Sequence, residues 1–461
     1  MNSPSLPVAV IGAGPVGLAA AAHLVSRGEP AIVLEAGPTP AANIQKWAHV
    51  RTFSAWRENA DAVARQMLED AGWQAPDWNA APTGGEFIEQ YLEPLANLPA
   101  IHSTLRLGAR VTGITRFGYD KMKSTGRDAA PFALRVSYAD GSGETLLARA
   151  VIDASGTFAT PNPLGASGLP AEGEEAAAAR VFYGIPDVLG RERGRYAGKR
   201  VLVVGAGHSA FNALIDLSVL QREEPGTALT WAIRTAPDAA MFGGGTADAL
   251  PLRGALGLTM QKLVDSGKLT FVSGFPITAV RSADSGVTVL SGDREIGPFD
   301  EVVCATGFRP DLSLTRELRV ELDPAVEAPP RLAPLIDPNV HSCGTVPPHG
   351  VEQLGHPEPG FYTVGMKSYG RAPTFLMLTG YEQVRSVVAE LTGDHEGARE
   401  VRLELPKTGV CNSGGPSLDG EAAGGGCCGP AAPSVVDLTD IAAPRPALAA
   451  AGASTVAGRC G

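Results

Sequence analysis

Charge, aromatic rings and sulfur are all scarce in this 461-residue chain: 19% of its residues are charged, 6% are aromatic and six are cysteines. An excess of basic residues is also missing. Thirty-eight lysines and arginines against 49 acids leave a formal charge of −11, which argues against a general nucleic-acid or anionic-membrane partner, because both need basic surface to displace counterions. Small molecules are the expected partners. No long apolar run is present. The most apolar N-terminal stretch, Val8 to Val25, is broken by glycines and His23 and has neither a basic flank nor a small-residue cleavage site. Neither a membrane span nor a secretory leader is expected, and the chain reads as soluble and cytoplasmic. The cysteines form no framework of spaced pairs, which suits a reducing compartment.

What is present is glycine, with 56 residues beside 37 prolines and a hydrophobic fraction of 44%. That much apolar material excludes a collagen, a coiled coil and a mostly disordered chain. The length suggests two or three domains. From Pro406 onward, 29 of 56 residues are Gly, Ala or Pro and no apolar period persists, so 406–461 reads as a flexible tail.

Two segments carry the same pattern. Residues 7–35 read as strand, turn, helix, strand: an apolar run to Ile11, then Gly12-Ala-Gly14-Pro15-Val16-Gly17, an alanine-rich helix, and Ala31 to Glu35. Gly12 permits a tight turn, Gly14 lets the backbone approach a pyrophosphate, Gly17 lets helix pack on strand, and Glu35 can accept from ribose hydroxyls. The pattern returns 193 residues on, with Gly205-Ala-Gly207-His208-Ser209-Ala210 and a second strand that ends in Arg234. An arginine there can pair a ribose 2′-phosphate that a glutamate would repel, which favours NADPH over NADH. The expected fold class is α/β, with two Rossmann-like dinucleotide-binding domains. Between them, Trp56 to Ala71 and Gly85 to Leu98 read as helices, and Ala148 to Asp153 and Phe299 to Cys304 as buried strands.

At these residues the chain resembles the flavin-containing (class B) monooxygenases over roughly 7–395. The resemblance rests on Asp153-Ala154-Ser-Gly156 with Pro161 and Pro163, on the second glycine motif, and on Ala305-Thr306-Gly307-Phe-Arg-Pro-Asp311, in that order. It implies FAD on a discontinuous domain of residues 1–165 and 310–405, and NADPH on a domain of residues 166–309 inserted into it. It also implies oxygen as co-substrate and a small-molecule substrate. Where that family carries Phe-x-Gly-x-x-x-His-x-x-x-aromatic, this chain has Phe182-Tyr-Gly184 with Val188 and Glu192 in the last two positions. A strand at Phe361 to Gly365 is expected to re-enter the FAD domain, and Thr379 to begin a helix whose dipole favours negative charge on a reduced flavin.

The resemblance makes Trp47, His49, Arg51 and Lys367 candidate flavin or substrate contacts, and Cys343 a candidate thiol near the flavin. His341, Cys343 and His349 match no closed metal site. The tail cysteines Cys411, Cys427, Cys428 and Cys460 are soft donors suited to metalloid ions, with Cys427 and Cys428 a vicinal pair. More narrowly, the chain resembles the flavoprotein monooxygenases associated with arsenic resistance. Two other readings stay open, a thiol or metalloid reductase using the tail cysteines and a non-enzymatic redox sensor.

Overall fold

The computed structural model describes residues 6–403, except 238–240, 249, 341–345 and 374. Two five-stranded parallel sheets organise it. In the first, Val8–Ile11 lies between Ala31–Leu34 and Ala150–Asp153, in the registers Val8↔Ala31 and Val8↔Ala150. Leu105–Arg106 extends one side and Phe361–Thr363 the other. In the second sheet Arg200–Val204 is central, between Ala228–Ala232 and Glu301–Cys304, with Thr270–Val272 and Val181–Tyr183 outside them. The central strands are continuous apolar runs because both faces are covered, one by helices and the other by an antiparallel sheet. All four residues of Val8–Ile11 are buried.

The chain runs one plan twice. Strand, glycine turn, helix and second strand are followed by a third strand, an antiparallel three-stranded sheet and a fourth parallel strand that returns beside the first. The antiparallel sheets comprise Arg110–Arg116, Phe132–Ser137 and Gly143–Ala148 in the first unit, and Ala279–Ala283, Gly286–Ser291 and Arg294–Phe299 in the second. Equivalent hydrogen bonds close the two turns. Gly12 N–H donates to Leu34 O and Ala154 N–H to Ile11 O; Gly205 N–H donates to Ala232 O and Ala305 N–H to Val204 O. The first sheet is completed only by Phe361–Thr363, so the chain returns to it after forming the second.

Two expected helices are broken. Trp56 to Ala71 forms Trp56–Asn59 and Ala62–Asp70, because the Asp61 carboxylate caps the second helix by accepting from Ala64 N–H at 2.9 Å. The same carboxylate meets His23 Nε2 at 3.1 Å. Gly85 to Leu98 begins one residue earlier in a Thr83/Glu86 capping box, and Ile88–Leu92 winds as a π-helix before Glu93–Asn97. Among the described residues, no helix is long and apolar enough to cross a membrane.

Candidate functional site

The turn after Val8–Ile11 is shaped by what glycine lacks. Gly12 has φ +97°, and a Cβ there would lie 2.8 Å from Ala154 O. A Cβ at Gly17 would lie 1.9 Å from Gly12 O, so the Pro15–Ser26 helix approaches the turn too closely for any side chain. Gly14 is different, with nothing within 4 Å of its Cβ direction. Its open side faces the space at the helix N-terminus where unpaired N–H groups and the helix dipole attract a phosphate. Pro15 and Val16 begin that helix. Glu35, half-buried one residue beyond its strand, accepts from Ala13 N–H and Gly37 N–H, both at 2.7 Å. These bonds hold the carboxylate beside the turn. Ala154 backs the turn, and Gly156, with φ +69°, also has open space on its Cβ side.

The second turn repeats this geometry. Gly205 has φ +132° with Ala305 O 2.2 Å from where its Cβ would be, and Gly207 faces open space. The His208–Glu223 helix starts there with Ser209 in its first turn and Ala210 fully buried. Arg234 lies two residues beyond Ala228–Ala232 and is exposed. Thr306 donates to Asn162 O at 2.9 Å and Gly307 O accepts from Asn162 N–H at 2.9 Å, tying this crossover to the outgoing linker, and a Cβ at Gly307 (φ +92°) would meet only Asn162 Nδ2, at 3.4 Å. The His208 ring packs on Phe53 of the first unit, with centroids 5.1 Å apart, and edge-on to Phe211. Burial, reinforced by the Arg253 charge and opposed by Asp248, holds its pKa down at about 4.

The returning segment closes over the first turn. Phe361–Thr363 leads into a 3₁₀ turn, Gly365–Tyr369, and then into the Met377–Leu391 helix with Thr379 buried in its first turn. Val16 is the meeting point: a Cβ at Gly365 would lie 3.3 Å from its Cγ2, and one at Gly380 2.7 Å. Gly365 N–H is taken by Gln383 Oε1 at 2.7 Å. The Gln383 amide donates onward to Ser368 Oγ and His349 Nε2, both at 2.9 Å. His349 therefore accepts at Nε2 and donates from Nδ1 to Pro347 O at 3.1 Å. Burial lowers its pKa, and the facing Gln383 amide gives an added Nε2 proton no acceptor.

The candidate contacts separate by surroundings. Lys367 is buried, with Nζ 2.7 Å from Asp153 Oδ2 and 3.0 Å from Ser155 Oγ. Its ammonium is committed to the crossover after Ala150–Asp153. Arg51 is exposed and donates to Ala81 O at 2.5 Å and Glu86 Oε2 at 3.3 Å. Trp47 is half-buried against Gly84, whose Cβ would lie 2.8 Å from the indole, and His49 is half-buried in the same segment. Cys343, and the tail cysteines including Cys427 and Cys428, lie outside the described residues. Cys304 is described: burial pushes its thiol up to about 12, so it is no thiolate at neutral pH. The Asp153–Lys367 pair, Gln383 and the Phe53–His208 contact are features that motif reading missed.

The family model for pyridine nucleotide-disulphide oxidoreductases matches residues 138–331. A ferredoxin–NADP reductase of Salinispora tropica is 26% identical over 333 residues, 68% of this chain and 78% of that protein. The indole-3-pyruvate monooxygenase YUCCA1 of Oryza sativa subsp. japonica is 31% identical over 211 residues, 45% of this chain and 44% of the relative. Among solved structures, the bacillithiol disulfide reductase Bdr of Bacillus cereus shares the fold, with TM-score 0.60 and 18% identity over 85% of this chain and 100% of that one. The two cradles and their parallel sheets are thus similar to those of flavoprotein oxidoreductases that depend on a nicotinamide dinucleotide.

Proposed function

We propose that the chain is an NADPH-consuming flavoprotein monooxygenase acting on a small molecule. The observation that carries this reading is the asymmetry of two otherwise repeated cradles, one with the Glu35 carboxylate fixed beside it and the other with the exposed guanidinium of Arg234. FAD fits the first. The turn shaped by Gly12, Gly14, Pro15, Val16 and Gly17 would hold its pyrophosphate, with the open side of Gly14 toward it, Glu35 would meet its ribose, and Ala154, Gly156, Gly365 and Thr379 would border the remainder. NADPH fits the second, on Gly205, Gly207, Ser209 and Ala210, with Arg234 on the 2′-phosphate and Thr306 and Gly307 at the crossover.

FAD, when bound, supplies a hydride acceptor that can pass electrons to oxygen. The protein's own part is positioning. The open sides of Gly14 and Gly207 admit phosphates that any side chain would exclude. The Met377–Leu391 helix directs its N-terminus at the first cradle, where its dipole favours negative charge. Lys367 neutralises Asp153 and leaves the crossover without net buried charge. Similarity to a plant monooxygenase over 211 residues supports oxygen as the acceptor. The neighbouring disulfide reductase supports a dithiol path only through its fold, and this chain has no C-x-x-C beside either glycine motif.

The test is NADPH oxidation by purified yellow protein, with and without oxygen and candidate substrates. Oxygen-dependent turnover with oxygenated product is expected. A colourless protein that binds no FAD overturns the reading. A role in metalloid handling is a further part of the proposal, resting on the four tail cysteines, and predicts that Cys427→Ala with Cys428→Ala abolishes turnover on trivalent arsenicals. Unchanged turnover removes it.

A further inference from the structure

Hydride transfer needs the donor carbon of the nicotinamide within about 3.5 Å of its acceptor, and an error of about 1 Å can cost two orders of magnitude in rate. In this chain the two cofactors belong to different sheets, so that distance depends on what fixes one unit against the other. Most described ties between the units sit at the two covalent crossovers. Asn162 Nδ2 donates to Thr306 O at 3.1 Å, Arg309 N–H donates to Thr160 O at 3.0 Å, and Phe158 stacks on Phe308 with centroids 5.0 Å apart. All three lie beside the two crossovers.

One ring contact among the described residues lies elsewhere. His208, the first residue of the helix that forms the second cradle, packs on Phe53, in the segment that follows the first unit's second strand. The imidazole meets Phe211 of its own unit, at 6.2 Å and near-perpendicular, and interacts electrostatically with the buried Asp248–Arg253 ion pair. Those neighbours fix the ring, so it transmits position. Asp248 and Arg253 are its charged neighbours, and they are spent on each other through three contacts between 2.8 and 3.1 Å.

We propose that His208 is a positioning residue: with Phe53 it latches the NADPH cradle to the FAD unit and sets the approach of the nicotinamide to the flavin. The latch rests on the cofactor assignment above. It stands one residue beyond Gly207, beside the phosphate site, so dinucleotide docking acts on the latched element directly. A latch of this kind lowers the rate of flavin reduction when cut and leaves the binding of the adenosine half of NADPH alone, because Arg234 and the cradle amides are untouched.

The test is a double-mutant cycle on the holoenzyme with His208→Ala, Phe53→Ala and both together. Anaerobic flavin reduction by saturating NADPH and the dissociation constant for NADP⁺ are measured in each. An aromatic pair of this geometry is expected to be worth about three- to tenfold in rate. Each single variant should lose that much, the double variant no more than either single, and the dissociation constant should stay within about twofold. Hydrogen exchange supplies a readout independent of turnover. NADP⁺ should slow exchange in residues 46–54 of the wild type and fail to do so in His208→Ala. Losses that add in the double variant, an NADP⁺ constant that rises in step with the rate loss, or residues 46–54 insensitive to NADP⁺ in the wild type each overturn the latch. A wild type that NADPH fails to reduce overturns the cofactor assignment and the latch with it; a reducible wild type with unaltered variants overturns the latch alone.

Discussion

Replacing Lys367 by methionine isolates the largest electrostatic commitment near the FAD cradle. The Asp153 side chain is 0% exposed and that of Lys367 2%, with Nζ at 2.7 Å from the carboxylate. Asp153 is otherwise served by Ser155, whose N–H and hydroxyl donate to Oδ1 at 3.1 and 2.6 Å. Methionine fills most of the lysine volume but leaves Oδ2 charged, buried and without its cation. Breaking one partner of such a pair costs about 3–5 kcal/mol. With a urea dependence of about 3 kcal/mol per M, the unfolding midpoint should fall by about 1 M or more. Urea titration of the holoenzyme followed by flavin fluorescence and far-ultraviolet circular dichroism measures it. Because the Gly365–Tyr369 turn and the Ser155–Gly156 crossover are joined by this pair, FAD release should precede loss of secondary structure in the variant. Adding Asp153→Asn removes the uncompensated charge and should recover more than half of the loss, since a buried pair exchanged for neutral groups is often close to neutral. A Lys367→Met protein within about 1 kcal/mol of wild type, or a double variant worse than either single, refutes this reasoning.

The glycines of the first turn offer a contrast. Gly14→Ala should fold normally and bind FAD weakly, because its Cβ enters only the open space proposed for phosphate, whereas Gly17→Ala should destabilise the apoprotein through its 1.9 Å clash with Gly12 O; FAD content and apoprotein melting temperature separate the two, and equal effects of both would contradict the assignment. Arg234→Ala should raise the NADPH KM about tenfold or more with little change for NADH, as loss of a charge-assisted bond implies; an equal rise for both removes Arg234 from the 2′-phosphate. His356 is held at about 4 by burial, below its unfolded value near 6.5. The folded state therefore binds fewer protons, and the stability this gives is complete above about pH 6.5 and lost as pH falls toward 4, by about 3 kcal/mol in all. His356→Asn should flatten that acid limb in urea midpoints measured from pH 7 to 4, and coincident slopes would refute it.

Both glycine turns were legible because they answer to backbone geometry that only glycine satisfies: Gly12 and Gly205 hold positive φ, and Gly17 sits where no Cβ fits. The buried strands were legible as unbroken apolar runs. The break inside Trp56 to Ala71 was missed although its signal was present, since Asp61 before Ala62 is an N-cap residue. Other features had no local signal. Asp153 and Lys367 are 214 residues apart, and Arg116 and Arg127 meet Glu358 across 242 and 231 residues. Such pairs obey neither the helical nor the strand period, so nothing in a sequence window distinguishes a buried partner from a solvated charge. For that reason the sequence offers Lys367 only as a candidate flavin or substrate contact, without its partner Asp153.

The two cradles share one plan, so their difference in use must come from what the plan does not specify. The first is overlaid by a returning strand, a 3₁₀ turn and a helix, whose Gly365 and Gly380 close on Val16 and whose Lys367 is bonded beneath the crossover. In the second sheet the equivalent outer strand, Val181–Tyr183, comes from the incoming linker, and no later segment of the described chain returns to that sheet. The first cradle is thus bordered by a returning segment as well as by its own turn and helix end, whereas the second has a turn, a helix end and an exposed arginine. Under the proposed assignment, that difference would suit a resident FAD in the first cradle and an exchanging NADPH in the second, and it is set by where the last strand of each sheet originates.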